Sequence, residues 1–121
     1  MPVSAEFLAF VADQLAEFGQ VAIRRMFGEA GLFRDGRMFG LVADDVVYFK
    51  VGDANRAAYV AAGAKPFVYS RRSSPAKLTS YYEVPPGILD DPDALAEWAS
   101  ASFAVAKAAR AKPARAKRKK K

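Results

Sequence analysis

The sequence predicts an α+β domain with a mainly antiparallel sheet of five or six strands and helices packed on it. Short apolar runs follow one another between residues 21 and 51, separated by the pairs Asp35-Gly36 and Asp44-Asp45. Such pairs favour tight hairpins, because their residues tolerate positive φ. Apolar residues recur at helical spacing near both ends of the chain. Hairpins followed by helices are typical of a sheet covered on one side, so the expected order is helix–strands–helix–strands–helix.

The first half of the chain is expected to supply one helix and three or four strands. Ser4 can cap a helix over residues 4–18, and Gly19 can end it. Its apolar residues share one face, namely Phe7, Leu8, Val11, Leu15 and Phe18. Strands are predicted over residues 21–27, 32–34, 37–42 and 46–51.

The second half is expected to supply a short helix, two strands and a long helix. Asp53 is the predicted cap of a helix over residues 54–62, which rests Ala58, Tyr59 and Ala62 on the sheet. Strands are predicted over residues 66–70 and 77–84. The last helix is expected to begin at Asp91 and to fray after about Arg110. Its apolar stripe consists of Leu95, Trp98, Ala99, Ser102, Phe103 and Ala106.

Composition separates the chain into two parts with different charge. The 121 residues carry a net charge of +6. The last fifteen residues contain no acid and nine of the nineteen lysines and arginines of the chain, which are Lys107, Arg110, Lys112, Arg115, Lys117, Arg118, Lys119, Lys120 and Lys121. We therefore expect residues 1–106 to form a mildly acidic domain and residues 107–121 a disordered basic tail.

Catalysis, metal binding and cofactor binding are not expected. The sequence has no histidine and no cysteine, which removes the commonest general base, the thiol nucleophile and most transition-metal ligands. Asp44 and Asp45 are interpreted as turn residues, and the acids around residue 91 as helix-capping residues. With no apolar run of membrane-spanning length and no signal-peptide pattern, a cytoplasmic protein is expected.

Four residues are candidates for an anion-binding or partner-binding site: Arg24, Arg25, Lys50 and Tyr82. Adjacent arginines in a strand face opposite sides of the sheet, so one of the first two is directed toward the covered side. There it needs a carboxylate or an anionic ligand. The alternative is that these cations have solvated head groups or pair with acids of the chain.

Several motifs in order resemble the N-terminal domain of the TfoX/Sxy family. They are Arg25-Met26-Phe27-Gly28, the hairpin from Gly31 to Phe39, Tyr48-Phe49-Lys50, Asp53-Ala54-Asn55-Arg56, Gly63-Ala64-Lys65-Pro66-Phe67 and Ser80-Tyr81-Tyr82-Glu83-Val84-Pro85. The resemblance covers roughly residues 7–106 and indicates a stand-alone member without the family's helical C-terminal domain. It implies an α+β fold and a bacterial regulator of competence genes that acts with a transcription factor on DNA. It implies no catalytic residues.

Two functional hypotheses follow, and both give the tail a role. In the first, the protein is a regulatory module whose body binds a protein partner while the tail contacts DNA or RNA regardless of sequence. In the second, it is a histone-like architectural protein whose body is a scaffold. The exposed edge strands of such a body are compatible with a homodimer. An enzyme using Arg25, Lys50 and Tyr82 on an acidic substrate is a remote third hypothesis, and no membrane partner is expected.

Overall fold

The computed structural model describes residues 4–26, 29–69 and 76–119, with side chains described for residues 4–25, 29–68 and 80–108. Ten elements follow one another: α1 (Ala5–Gln14), β1 (Ala22–Met26), β2 (Glu29–Arg34), β3 (Arg37–Ala43), β4 (Val46–Lys50), α2 (Arg56–Ala61), β5 (Pro66–Tyr69), β6 (Ala76–Glu83), α3 (Pro86–Leu89) and α4 (Pro92–Lys119). The α+β class and the expected order are confirmed. The short helix α3 is an addition to the predicted elements.

The six strands form one antiparallel sheet in the order β1-β2-β3-β4-β6-β5. Strands β2, β3 and β4 are joined by two successive turns, and the predicted turn residues adopt the expected backbone. Asp35, Asp44 and Asp45 all have positive φ, between 52° and 59°. Tight hairpin turns require positive φ at their central residues, and these aspartates occupy such positions, as the sequence predicted.

The helices cover one face of the sheet and enclose the main core. That core includes Val11 and Leu15 of the first helical segment, Val42 and Phe49 of the sheet, and Leu95 of α4. The predicted stripe of α4 is confirmed, because its members are buried or packed against this core. The opposite face, called here the open face, carries a smaller buried cluster of Leu41, Ala43, Phe67 and Tyr81.

A bulge in β3 brings an extra aromatic ring into the main core. Leu32 pairs with Gly40 but Phe33 pairs with Met38, so Phe39 has no partner of its own across the ladder. Such an insertion turns two successive residues toward one side of a sheet. The ring of Phe39 is fully buried and meets other aromatic rings edge-on.

Helix α1 is shorter than predicted, and its start is tied to the β3–β4 turn. The helix ends at Gln14, and turns continue to residue 18 before Gly19 at φ 135°. The Oγ of Ser4 accepts from Phe7 N at 3.1 Å, which confirms the predicted cap. The Asp45 carboxylate accepts from Ser4 N at 3.0 Å and from Ser4 Oγ at 3.2 Å. The Asp45 side chain thus has a structural role.

The predicted cap of α2 is wrong. The helix begins at Arg56, and Asn55 occupies the position before it. Asn55 Oδ1 accepts from Gly52 N at 2.8 Å, and its Nδ2 donates to the Lys50 carbonyl at 3.2 Å. The side-chain amide of Asn55 accepts one hydrogen bond and donates the other, and together they close this turn. An ionised carboxylate such as that of Asp53 only accepts hydrogen bonds, so it cannot make both. Of the three residues expected against the sheet, Tyr59 is buried whereas Ala58 and Ala62 are exposed.

Helix α4 continues beyond its predicted end. The sequence predicts fraying after about Arg110, whereas helical backbone extends to Lys119. Alanine, lysine and arginine, which make up nearly all of this segment, are among the strongest helix formers. The boundary at residue 106 and the disorder of residues 107–121 stay predictions. No helix in the described part of the chain is both long and apolar enough to cross a membrane.

Candidate interaction residues

The carboxylates of the described residues form no group suited to a metal ion. Asp91, one of the acids interpreted as capping residues, caps α4 as the sequence indicated. Asp91 Oδ1 accepts from Asp93 N at 3.1 Å and from Ala94 N at 3.3 Å, which satisfies two free N–H groups at the start of α4.

The two candidate arginines lie on β1, the first strand of the sheet, and both are exposed. Arg24 pairs with Gly31, and its guanidinium Cζ lies 5.0 Å from the centre of the Phe33 ring. Arg25 pairs with Ala30, a residue of the main core. Partners across an antiparallel ladder share a face. Arg24 therefore projects on the open face and Arg25 on the helix-covered face, as the alternation predicted.

Lys50 and Tyr82, the other two candidates, also fall on opposite faces. Lys50 pairs with Tyr81 on the open face, and its Nζ lies 4.9 Å from the Tyr81 ring centre. Burial lowers the pKa of Lys50. Tyr82 pairs with Phe49 of the main core, and Arg56 lies 5.9 Å above its ring. The phenol of Tyr82 is therefore directed away from Lys50.

The four candidates do not form one site. Arg24 and Lys50 share the open face, but β1 and β4 are separated by three strand spacings, about 14 Å. Arg25 and Tyr82 share the helix-covered face and are still further apart in the strand order. Two local features result, an arginine pair on β1 and a lysine packed on Tyr81.

Acids surround Tyr48 on the open face, a grouping that sequence reasoning missed. Burial raises the pKa of Tyr48, and Glu83, Asp44 and Glu29 raise it further. Burial, followed by the charge of Asp44, also raises the pKa of Glu29. Only the strand register could have revealed this group, because Glu83 pairs with Tyr48 from a strand distant in sequence.

Arg34 is a further residue that sequence reasoning did not single out. Its Nη1 donates to the Phe18 carbonyl at 2.9 Å. Its Cζ lies 4.5 Å from the Phe18 ring centre and 5.4 Å from that of Phe103. The guanidinium thus joins β2 to the end of the first helical segment and to α4. These contacts give Arg34 a structural role.

A cleft of about 380 Å³ opens at the corner of the sheet where β1 begins and β2 ends. It is lined by residues 20–22 and 33–36 together with Arg24. Its volume lies within the range of small-molecule and side-chain binding sites. The cleft adjoins the arginine pair of β1 and lies at the far side of the sheet from Lys50.

A six-stranded antiparallel sheet with helices on one face defines the chain as a small α+β domain. Residues 13–106 match the family described as TfoX N-terminal domain, and the chain belongs to that family. The resemblance seen in the sequence is thereby confirmed. A relative from Spirochaeta aurantia, described as an uncharacterized 12.7 kDa protein in the trpE 5′ region, is 38% identical over 56 residues. That match spans 46% of this chain and 49% of the relative, about half of each.

Proposed function

We propose that the protein is a TfoX-like regulatory binding module of the cytoplasm, whose body binds a protein partner and whose basic tail contacts nucleic acid. The segregation of charge carries the proposal. All thirteen acidic residues lie within residues 1–106, whereas the last fifteen residues are rich in lysine and arginine. Membership of the TfoX N-terminal domain family supports the regulatory half. The partner of the body is expected to be a transcription factor.

The tail suits contact with phosphates without regard to base sequence. Lysine and arginine bind a polyanion by releasing its condensed counterions, and alanine and proline between them offer no group that reads base edges. If about six tail charges meet phosphates of duplex DNA, log K falls with log[salt] at a slope near −5. DNA and RNA differ little in this respect, so both are suitable probes.

The test compares three full-length proteins in binding labelled duplex DNA and RNA across a salt series. One is the natural chain, one has every tail cation from Arg110 onward replaced by glutamine, and one has the same tail residues in scrambled order. Glutamine keeps the helix propensity while it removes the charge. We expect the steep salt dependence to disappear with glutamine and to persist with the scrambled tail. Salt-dependent binding that survives the glutamine substitutions would contradict the role of the tail.

The architectural hypothesis makes a different prediction for the body. If the body is only a scaffold, substitution of the exposed arginines of strand β1 has no effect on any complex that the protein forms. If the body is a binding module, a protein complex survives neutralisation of the tail and is lost on substitution of the body. Affinity purification with the glutamine-tail protein separates these two outcomes.

A further inference from the structure

The outer edge of β1 bounds the sheet at the end opposite β5. Strand β1 is the first strand of the sheet, and in the described residues it pairs with β2 alone. Ala22, Arg24 and Arg25 are all exposed on it. The strand at the other end of the sheet, β5, begins with Pro66, which has no N–H to offer to an added strand.

We infer that the β1 edge binds an extended acidic segment of a protein partner, which adds to the sheet as a seventh strand. This inference rests on the proposed function, in which the body binds a protein. A peptide that adds to a sheet edge gains affinity from backbone hydrogen bonds and specificity from its alternating side chains. The two arginines determine the charge of those side chains.

The geometry specifies where the acids of the partner stand. Arg24 projects on the open face and Arg25 on the covered face, and residues directly opposite each other in a ladder share a face. Two adjacent carboxylates in the partner strand therefore meet the two arginines, one on each side of the sheet. The cleft of about 380 Å³ beside the start of β1 accommodates a side chain that flanks this acidic pair.

Charge favours such a partner over a second copy of this chain. Two β1 strands paired across a twofold axis would bring Arg24 and Arg25 of both copies close together. Like charges directly opposite each other destabilise a strand pair. Arginine on an edge strand also protects against edge-to-edge aggregation, and that protection fits an edge reserved for an acidic segment.

The probe is a labelled eight-residue peptide with two adjacent glutamates flanked on each side by threonine and valine. Binding is measured to the full chain by fluorescence anisotropy, and amide chemical shifts locate the contact. We expect micromolar to millimolar affinity, with the largest shift changes in residues 22–26. The double variant R24E/R25E is expected to weaken binding at least tenfold and to bind the matching peptide with two lysines instead. The control K65E, which reverses an exposed cation elsewhere in the body, leaves affinity within twofold.

Four results would overturn the inference, the first three of which concern a peptide that does bind. Those three are unchanged affinity of R24E/R25E, equal binding of a peptide whose backbone is N-methylated at alternate residues, and shift changes confined to the tail. A peptide that fails to bind up to millimolar concentration would overturn it as well. The DNA titration of the tail is independent of this experiment. Failure of the peptide alone therefore refutes strand addition, and failure of the DNA titration alone refutes the nucleic-acid role.

Discussion

Tyr59 offers a sharp test of how the core is built, because its side chain is buried while its hydroxyl is poorly satisfied. The residue is 1% exposed, and its Oη has no hydrogen-bond partner of good geometry in the described part of the chain. Burial raises the pKa of Tyr59 to about 12, and the nearby Ser102 hydroxyl offsets part of the rise. Ser102 Oγ also accepts from Asn55 Nδ2 at 3.5 Å.

The raised pKa makes the folded state dependent on a neutral Tyr59. The unfolded chain holds the proton with a pKa near 10, so the stabilisation is fully present below about pH 10. It is lost as the pH rises from about 10 to about 12, where the folded phenol also ionises. The difference between these two pKa values corresponds to about 3 kcal/mol in total, of which roughly half is lost by pH 11.

The variant Tyr59→Phe removes the hydroxyl and keeps the ring, which packs 4.7 Å from the Trp98 ring centre. At pH 8 we expect the variant to match or exceed the natural protein by about 1 kcal/mol, because an unpaired buried hydroxyl is costly. At pH 11 the difference should grow by about 1 kcal/mol in favour of phenylalanine. Urea denaturation at both pH values measures this, and other titrating groups cancel because both proteins share them.

Two results would refute this reasoning. A variant less stable than the natural protein by more than about 1 kcal/mol at pH 8 would show that the hydroxyl makes a good hydrogen bond. A stability difference that stays constant between the two pH values would show that Tyr59 titrates alike in the folded and unfolded chains. Ultraviolet titration of the phenolates provides an independent check, since the variant should lack the group that titrates near pH 12.

Three further substitutions test the packing by urea denaturation. Arg34→Met loses a charged hydrogen bond and two ring contacts and should cost about 2–3 kcal/mol. The exposed control Arg24→Met loses one ring contact and should cost less than about 1 kcal/mol, so equal costs would contradict the role of Arg34. Gly40→Ala places Cβ 2.8 Å from the Tyr48 carbonyl oxygen and should cost about 1–3 kcal/mol, so a neutral result would mean that the strands separate freely. Asp91→Ala should cost about 1 kcal/mol and Asp91→Asn much less, because the amide retains the capping oxygen; equal losses would point to charge instead of capping.

Local patterns predicted the elements that depend on nearby residues. The hairpin turns followed from aspartates that tolerate positive φ, and the stripe of α4 followed from helical spacing. The same local rules predicted that Arg24 and Arg25 face opposite ways. They predict too early an end for α4, because alanine, lysine and arginine sustain a helix even where the apolar stripe stops.

Contacts between distant segments could not be predicted from these patterns. The insertion of β6 between β4 and β5 decides that Lys50 meets Tyr81 and that Tyr82 meets Phe49. The strand register therefore decides which candidate residues lie on the same face of the sheet, and no short motif encodes that register. Arg34 depends in the same way on rings that are remote in the sequence and meet only in the folded chain.

The cations of the tail and the two arginines of β1 are suited to different roles, the first to affinity and the second to specificity. In the two proposals above, tail cations attract any polyanion, whereas Arg24 and Arg25, held at fixed positions on a strand, select a matching segment. If both contacts form in one complex, each raises the effective concentration of the other, so two weak interactions combine into a much stronger one. In a complex of protein partner and DNA, neutralising the tail and reversing the two arginines should each weaken assembly severely. The double variant should assemble little worse than either single variant, because each single change already breaks the linkage. Fully additive losses of assembly would show that the two contacts act separately.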